Sequence, residues 1–178
     1  MNSDESLQAA IHEEVALEAY NEAWPAMFVA ERDRLLGLLP LSFIDIEHIG
    51  STAVPGLIAK PVIDLLAGVE SMGMARSLSG ALLEAGYTTS AEFNATLTDR
   101  QWFMRWADGH RTHHLHIVVH GSPAWDQRLR FRDALLSHPV IVTRYAALKA
   151  ALALRHSADR EAYTKAKTTF VQSVTGPD

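Results

Sequence analysis

Apolar positions along the chain change period in a fixed order. Met27, Phe28, Leu35, Leu38 and Leu39 recur at helical spacing. Trp24-Pro25 opens that segment, since proline suits a first turn, and Pro40 closes it. Short apolar runs at 43–49 and 62–69 read as strands, and 15–20 as a short edge strand or turn. Residues 73–85 read as a helix with Gly86 at its C-terminal end. Residues 101–106 and 112–120 form the two arms of a hairpin, with the turn signal Asp108-Gly109 between them. Residues 88–98 are polar and show no clear period. Helical spacing then takes over, from Pro123 to about Ser137, from Pro139 to about His156, and from Asp159, a suitable N-cap, to about Val174. Strands first and helices last predict an α+β layer: a small mixed β-sheet flanked by helices, with a helical C-terminal third.

The 178 residues suit one domain. Residues 1–12 read as a flexible acidic arm and 13–178 as a single domain. The chain has no cysteine, which excludes disulfides, thiolate metal sites and a cysteine nucleophile, and fits a cytoplasmic location. Its first residues lack the apolar core of a signal peptide. No run approaches the roughly 18 apolar residues of a membrane span, so no membrane partner is expected.

Net charge is -5, unevenly placed. Residues 1–99 hold 4 Lys/Arg and 15 Asp/Glu, whereas 100–178 hold 12 and 6. The split reads either as a basic wall for an anionic ligand, with Arg105, Arg130 and Arg132 as candidates, or as two halves packed on each other. The acidic balance makes a nucleic-acid partner unexpected. Oligomeric state is left open.

Candidate chemistry concentrates in residues 44–66, IDIEHIGSTAVPGLIAKPVIDLL. Gly50-Ser51 ends an apolar run and offers backbone N–H groups beside a hydroxyl, a combination that suits phosphate. Ser51 and Thr52 add side-chain donors, or cap the following turn. Lys60 precedes Pro61, which restricts it to an extended conformation and aims its charge. Asp64 is a lone carboxylate in an apolar run, costly to bury unless something pairs with it. His114 and His116 stand two apart in HLHIV, so their rings share one strand face and His113 points away. Imidazole suits Zn, Mn, Fe or Ni better than Mg. Glu47 and His48 lie on opposite faces, and parity with Gly50 assigns His48 to the site. Arg132-Asp133 is either a ligand contact or an ion pair. Tyr145/Lys149 and Tyr163/Lys167 are matching i,i+4 pairs that either decorate helices or close over a nucleotide.

The string EHIGSTAVPGLIAKPVIDLL resembles the signature of the GrpB family, a branch of the nucleotidyltransferase superfamily. The likeness continues in THHLHIVVHGSPAW, FRDALLSHP, YAALK and YTKAK, and covers about 20–170. It implies a nucleotidyltransferase-like fold. It also implies a metal-dependent nucleotidyl or phosphoryl transferase acting on a small molecule or protein. The implied cofactors are a divalent metal (Mg, Mn or Zn) and a nucleotide triphosphate, and the implied partner is a nucleotide or other phosphorylated small molecule. In that superfamily Gly-Ser is followed by an Asp-x-Asp or Asp-x-Glu pair that helps hold two metal ions. Gly50-Ser51 and Asp64 match, but Leu66 stands where the second carboxylate belongs. Asp64 is then both metal ligand and catalytic centre, with His114 and His116 completing the metal set and His116 available for proton transfer. Gly50, Ser51, Thr52, Lys60, His48 and Arg132 are assigned to the phosphorylated ligand. Two alternatives stand beside this reading: a non-catalytic nucleotide-binding module, favoured by Leu66, and a metal-dependent phosphohydrolase built on the His pair.

Overall fold

The structure is a computed structural model that describes residues 3–176. Helices α1 (Ser3–Ile11) and α2 (Trp24–Leu38) lead into strands β1 (Asp45–Ile49) and β2 (Ile63–Val69). Helices α3 (Met72–Ser77) and α4 (Ser79–Glu84), strand β3 (Tyr87–Thr88) and helix α5 (Ala91–Thr96) follow. The hairpin β4 (Arg100–Ala107) and β5 (His110–Val119) comes next, then helices α6 (Pro123–Ser137), α7 (Pro139–Arg155) and α8 (Arg160–Thr175). The result is an α+β fold with a mixed sheet in the order β1-β2-β5-β4-β3. Only the β2–β5 pairing is parallel; the other three are antiparallel.

The sheet's two faces have different tasks. Ile63, Leu65, Ala67 and Val69 of β2 join Phe103, Leu115 and Ile117 on one face. Trp24, Phe28 and Leu35 of α2 and Ala75, Leu78 and Leu82 of α3–α4 cover that face and form the main core. Register places Ile49, Asp64 and His114 side by side on the other face, with Leu66 beside His116. Helix α6 covers part of it, where Ala124 and Trp125 pack on Ile49, Leu66 and Val118. The end carrying Asp64 stays outside that cluster.

Several elements match the periodicity closely. Asp108 (φ 53) and Gly109 (φ 80) both adopt positive φ, as a two-residue hairpin turn requires. Asp159 caps α8 by accepting from the Ala162 N–H at 3.0 Å. Glu18 makes an isolated bridge to Ala59. Other elements differ. The segment read as one helix over 73–85 breaks at Leu78, because Ser77 Oγ takes the Met74 carbonyl and Ser79-Gly80 follows with weak helix formers. The unassigned 88–98 holds the last residue of β3 and all of α5. Its polar residues serve local bonds: Asn94 accepts from Trp102 N–H and donates to Trp102 O and Thr89 Oγ1.

Residues 3–11 are not the loose arm expected of 1–12; they form α1. Residues 1–2 lie outside the described region. Helix α1 is held at its end, where Ala10 is buried and its carbonyl accepts from Arg111 Nη2 at 2.7 Å.

Arg105 also has a structural task. Glu31 of α2 is buried, accepts from Tyr87 Oη at 2.6 Å, and pairs with Arg34 (2.7 Å) and Arg105 (2.6 Å). This cluster ties α2 to β3 and β4. Burial opposes the Glu31 charge, but bonds from Arg34 and Tyr87 outweigh it and hold the carboxyl below its ordinary range. Glu31→Gln leaves the arginines without a counter-charge, so we expect a loss of about 2–4 kcal/mol in urea unfolding.

Candidate functional site

Gly50 ends β1 at φ 73, a conformation glycine adopts without steric cost. A Cβ there would collide with Asp64 Oδ2, so the absence of a side chain is what lets the chain pass the carboxylate. A single 3-10 turn, Ser51–Ala53, then brings Ser51 and Thr52 to the rim. The parallel register sets Asp64 directly opposite His114 and Leu66 opposite His116.

The result is a compact acid–histidine group. Asp64 Oδ1 lies 3.1 Å from His114 Nδ1 and 3.8 Å from His116 Nε2. Arg111 Nη1 donates to His114 Nε2 at 3.0 Å. An acceptor role at Nε2 places the His114 proton on Nδ1, which donates to Asp64. Burial opposes the Asp64 charge, but the hydrogen bond from His114 and the nearby His116 ring overcome it and hold the carboxyl far below its usual range. Burial pushes His114 down to about 4 and lowers His116 as well, against the pull of Asp64. At neutral pH the site therefore holds one carboxylate and two neutral imidazoles.

A cavity of about 250 Å³ opens on this group. Ser51, Thr52, Lys60 and Val62 form one side, Asp64, His114 and His116 the floor, and Lys149, Thr164 and Lys167 the wall from α7 and α8. Lys149 Nζ donates to Ile58 O at 2.7 Å. The Lys60 and Lys167 ammonium groups lie 5.0 and 4.8 Å from the centroid of the Tyr163 ring, in cation–π contact. Burial is the main reason all three lysines titrate low, Lys60 at about 6 and Lys149 at about 7, with neighbouring cations adding to it. A larger, shallower depression of about 420 Å³ along α6 is lined by Pro123, Asp126, Leu129, Arg130 and Asp133 and gathers no such set.

The structure thus brings Gly50, Ser51, Thr52, Lys60, Asp64, His114 and His116 together. His48 and Arg132 are arranged differently from expectation. His48 pairs in register with Leu65, so it lies on the face opposite Asp64, and Glu47 shares the Asp64 face. Parity with Gly50 misled because Gly50 leaves the extended repeat. The His48 ring stacks on Phe28 and bonds Thr52 Oγ1 at 2.9 Å, so it acts on the rim from behind. Thr52 Oγ1 also bonds Val62 O at 3.3 Å, which commits its hydroxyl to the fold. Arg132 pairs with Glu47 and Asp133 and bonds the His48 carbonyl, tying α6 to β1 away from the cavity. Arg105, Arg130 and Arg132 all lie outside the cavity lining. The basic wall is made of lysine. Lys149 and Lys167, legible only as half of the repeated Tyr-x3-Lys pairs, supply it. Nothing in the sequence pattern pointed to Arg111 or Thr164.

One donor atom from each of Asp64, His114 and His116 lies within 4.8 Å of the other two. That set fits a single ion that accepts imidazole, such as Zn or Mn. It does not fit a two-ion centre, because Leu66 is fully buried under Trp125 where a second carboxylate would stand. An ion on His114 Nδ1 would take the place of the proton shared with Asp64, and the proton left on Nε2 would face the Arg111 donor. Arg111 therefore opposes loading through that nitrogen. Among the described residues no helix is long and apolar enough to cross a membrane.

The fold and these motifs agree with known proteins. The family model described as "GrpB protein" matches residues 14–176. A protein of Pseudomonas aeruginosa, UPF0157 protein PA4798, is 41% identical over 157 residues, covering 86% of this chain and 63% of that protein. UPF0157 protein YqkA of Bacillus subtilis is 35% identical over 159 residues, covering 89% of this chain and 46% of that one. The chain therefore spans about half to two thirds of the length of these relatives. A crystal structure of the conserved protein GrpB from Enterococcus faecalis superposes with a TM-score of 0.79 at 33% identity, covering 90% of this chain and 94% of that one. Sequence, motif order and fold place the chain in the GrpB family, with a nucleotidyltransferase-like fold.

Proposed function

We propose that the chain handles a phosphorylated small molecule of the nucleotide class, as a one-metal nucleotidyl or phosphoryl transferase. One observation carries this reading. The lone carboxylate of β2 faces two imidazoles on the floor of a cavity whose wall is three lysines. Carboxylate and imidazole suit a divalent cation, and lysine suits the phosphate oxygens that cation would share.

Asp64, His114 and His116 would hold the ion, which supplies Lewis-acid polarisation of a phosphoryl oxygen. The chain's own groups account for the rest. Lys60, Lys149 and Lys167 neutralise phosphate charge, and Ser51 and Thr164 donate hydroxyls. His116 sits farther from Asp64 than His114 does. With Asp64 and His114 alone on the ion, its neutral ring keeps a free lone pair and is the one assigned to accept a proton from an attacking hydroxyl, a role it gives up when it is itself a ligand. The buried Leu66 favours a second reading, a nucleotide-binding module without catalysis, because the residue leaves no room for a second ion. A cytoplasmic location accords with the cysteine-free composition.

Two variants test the metal centre. Asp64→Asn keeps the shape and an acceptor for His114 Nδ1–H but loses the anionic ligand. It should abolish Zn or Mn binding in titration calorimetry, with a loss of stability of about 1–3 kcal/mol, because the fold favours the charged carboxyl. A loss of stability with metal binding intact would show that Asp64 is structural. Arg111→Gln replaces a donor by a side chain whose carbonyl accepts from Nε2–H. Metal affinity should tighten by about tenfold, the scale of outer-shell effects. An unchanged or weaker affinity would remove His114 Nδ1 from the ligand set.

A further inference from the structure

The cavity is unequal in what it offers to the two ends of a nucleotide. Its volume of about 250 Å³ falls below the roughly 300–1,000 Å³ of pockets that enclose drug-sized ligands. Val62 is the one apolar residue in its lining, no Phe, Tyr or Trp ring lines it, and its two imidazoles are turned to Asp64. A base is held by stacking and by polar groups on its edges, and such a lining supplies no stacking face.

The nearest rings are already engaged. Tyr163 is fully buried and carries the Lys60 and Lys167 ammonium groups. Tyr145 carries that of Lys149 at 5.3 Å and is stacked on Phe170. These rings steady the cations. By contrast, phosphate is served from three separate segments: Lys60 before β2, Lys149 on α7 and Lys167 on α8. Charged together around one carboxylate the three amines would repel each other, and burial already draws Lys60 and Lys149 toward their neutral forms in an empty cavity. An anion with several charges along its length removes that repulsion, and a divalent cation on Asp64 would add to the attraction.

We propose that the cavity recognises its ligand through a polyphosphate chain alone, so that inorganic triphosphate or pyrophosphate occupies it as well as a nucleotide does. This rests on the phosphate-site reading above and narrows it to a ligand class. Any contribution from a nucleoside has to come from outside the cavity. The available surface there is Trp102, half-buried on β4, with its ring 5.7 Å from His114 and the exposed Phe93 set edge-on to it.

The test is calorimetry and thermal shift on the full chain with triphosphate, pyrophosphate, ATP, CTP and adenosine, each with and without Mn. The expected result is a triphosphate Kd within about threefold of those for ATP and CTP, and no response to adenosine. Lys149→Met and Lys167→Met should each weaken triphosphate binding by about tenfold or more, with an unchanged or higher melting temperature, because a buried charge is removed. A melting temperature that falls while triphosphate binding stays intact would make the lysines structural and overturn the proposal. ATP or CTP binding more than about tenfold tighter than triphosphate, with that advantage lost in Trp102→Ala, would also overturn it and leave the phosphate-site reading standing. Failure of every phosphate compound under both conditions would overturn both.

Discussion

The charge on Asp64 is the constraint around which the molecule is arranged. A carboxylate on a central strand keeps its charge only where dipoles and donors replace lost water. The parallel pairing of β2 with β5 does this, since it fixes His114 directly across from Asp64 and His116 one step along. A slip of β5 by one residue would turn both imidazoles away from Asp64 into the main core, and Leu115 and Ile117 out of it. The same register that buries Leu65 and Leu115 under α2 therefore builds the polar floor on the other face.

From that floor the stabilising contacts run outward in two directions. Arg111 links His114 to the end of α1 and, with Arg160, to Glu13. His48 links Thr52 to the core ring of Phe28. Most arginines expected to meet a ligand are instead spent on such ties, Arg105 to Glu31 and Arg132 to Glu47. Guanidinium forks suit fixed bidentate pairing, while flexible ammonium groups suit a wall that adapts to an anion. The division of labour between arginine and lysine follows that difference.

Much of this was legible in the sequence. Strand and helix order followed from period and from proline, glycine and aspartate punctuation, and the Asp108-Gly109 turn named its own geometry. Gly50-Ser51, Lys60, Asp64 and the His114/His116 pair were readable because each is a chemical exception in a regular pattern. What escaped depended on contacts between distant segments. Helix α1 is held by Arg111, 101 positions from Ala10, and no local signal announces that. The 88–98 segment is organised by Asn94 side-chain bonds rather than by apolar period. His48 was misassigned because alternation fails at the glycine that ends the strand. Lys149 and Lys167 showed only as a repeated spacing, since helical lysines are usually solvated.

The lysine wall has a consequence for how the molecule assembles. Two of its three members sit on α7 and α8, in the last third of the chain, whereas the acid–histidine floor is complete by β5. During synthesis the sheet can form its floor while those helices are still emerging. Docking them then takes lysine side chains out of water against the floor, a cost set against the apolar packing of Leu57, Leu135, Tyr145 and Phe170. A polyanion present at that moment would act as a template for the final third, binding the closed form and drawing the helices onto the sheet. Occupancy of the cavity and completion of the fold would then be a single event.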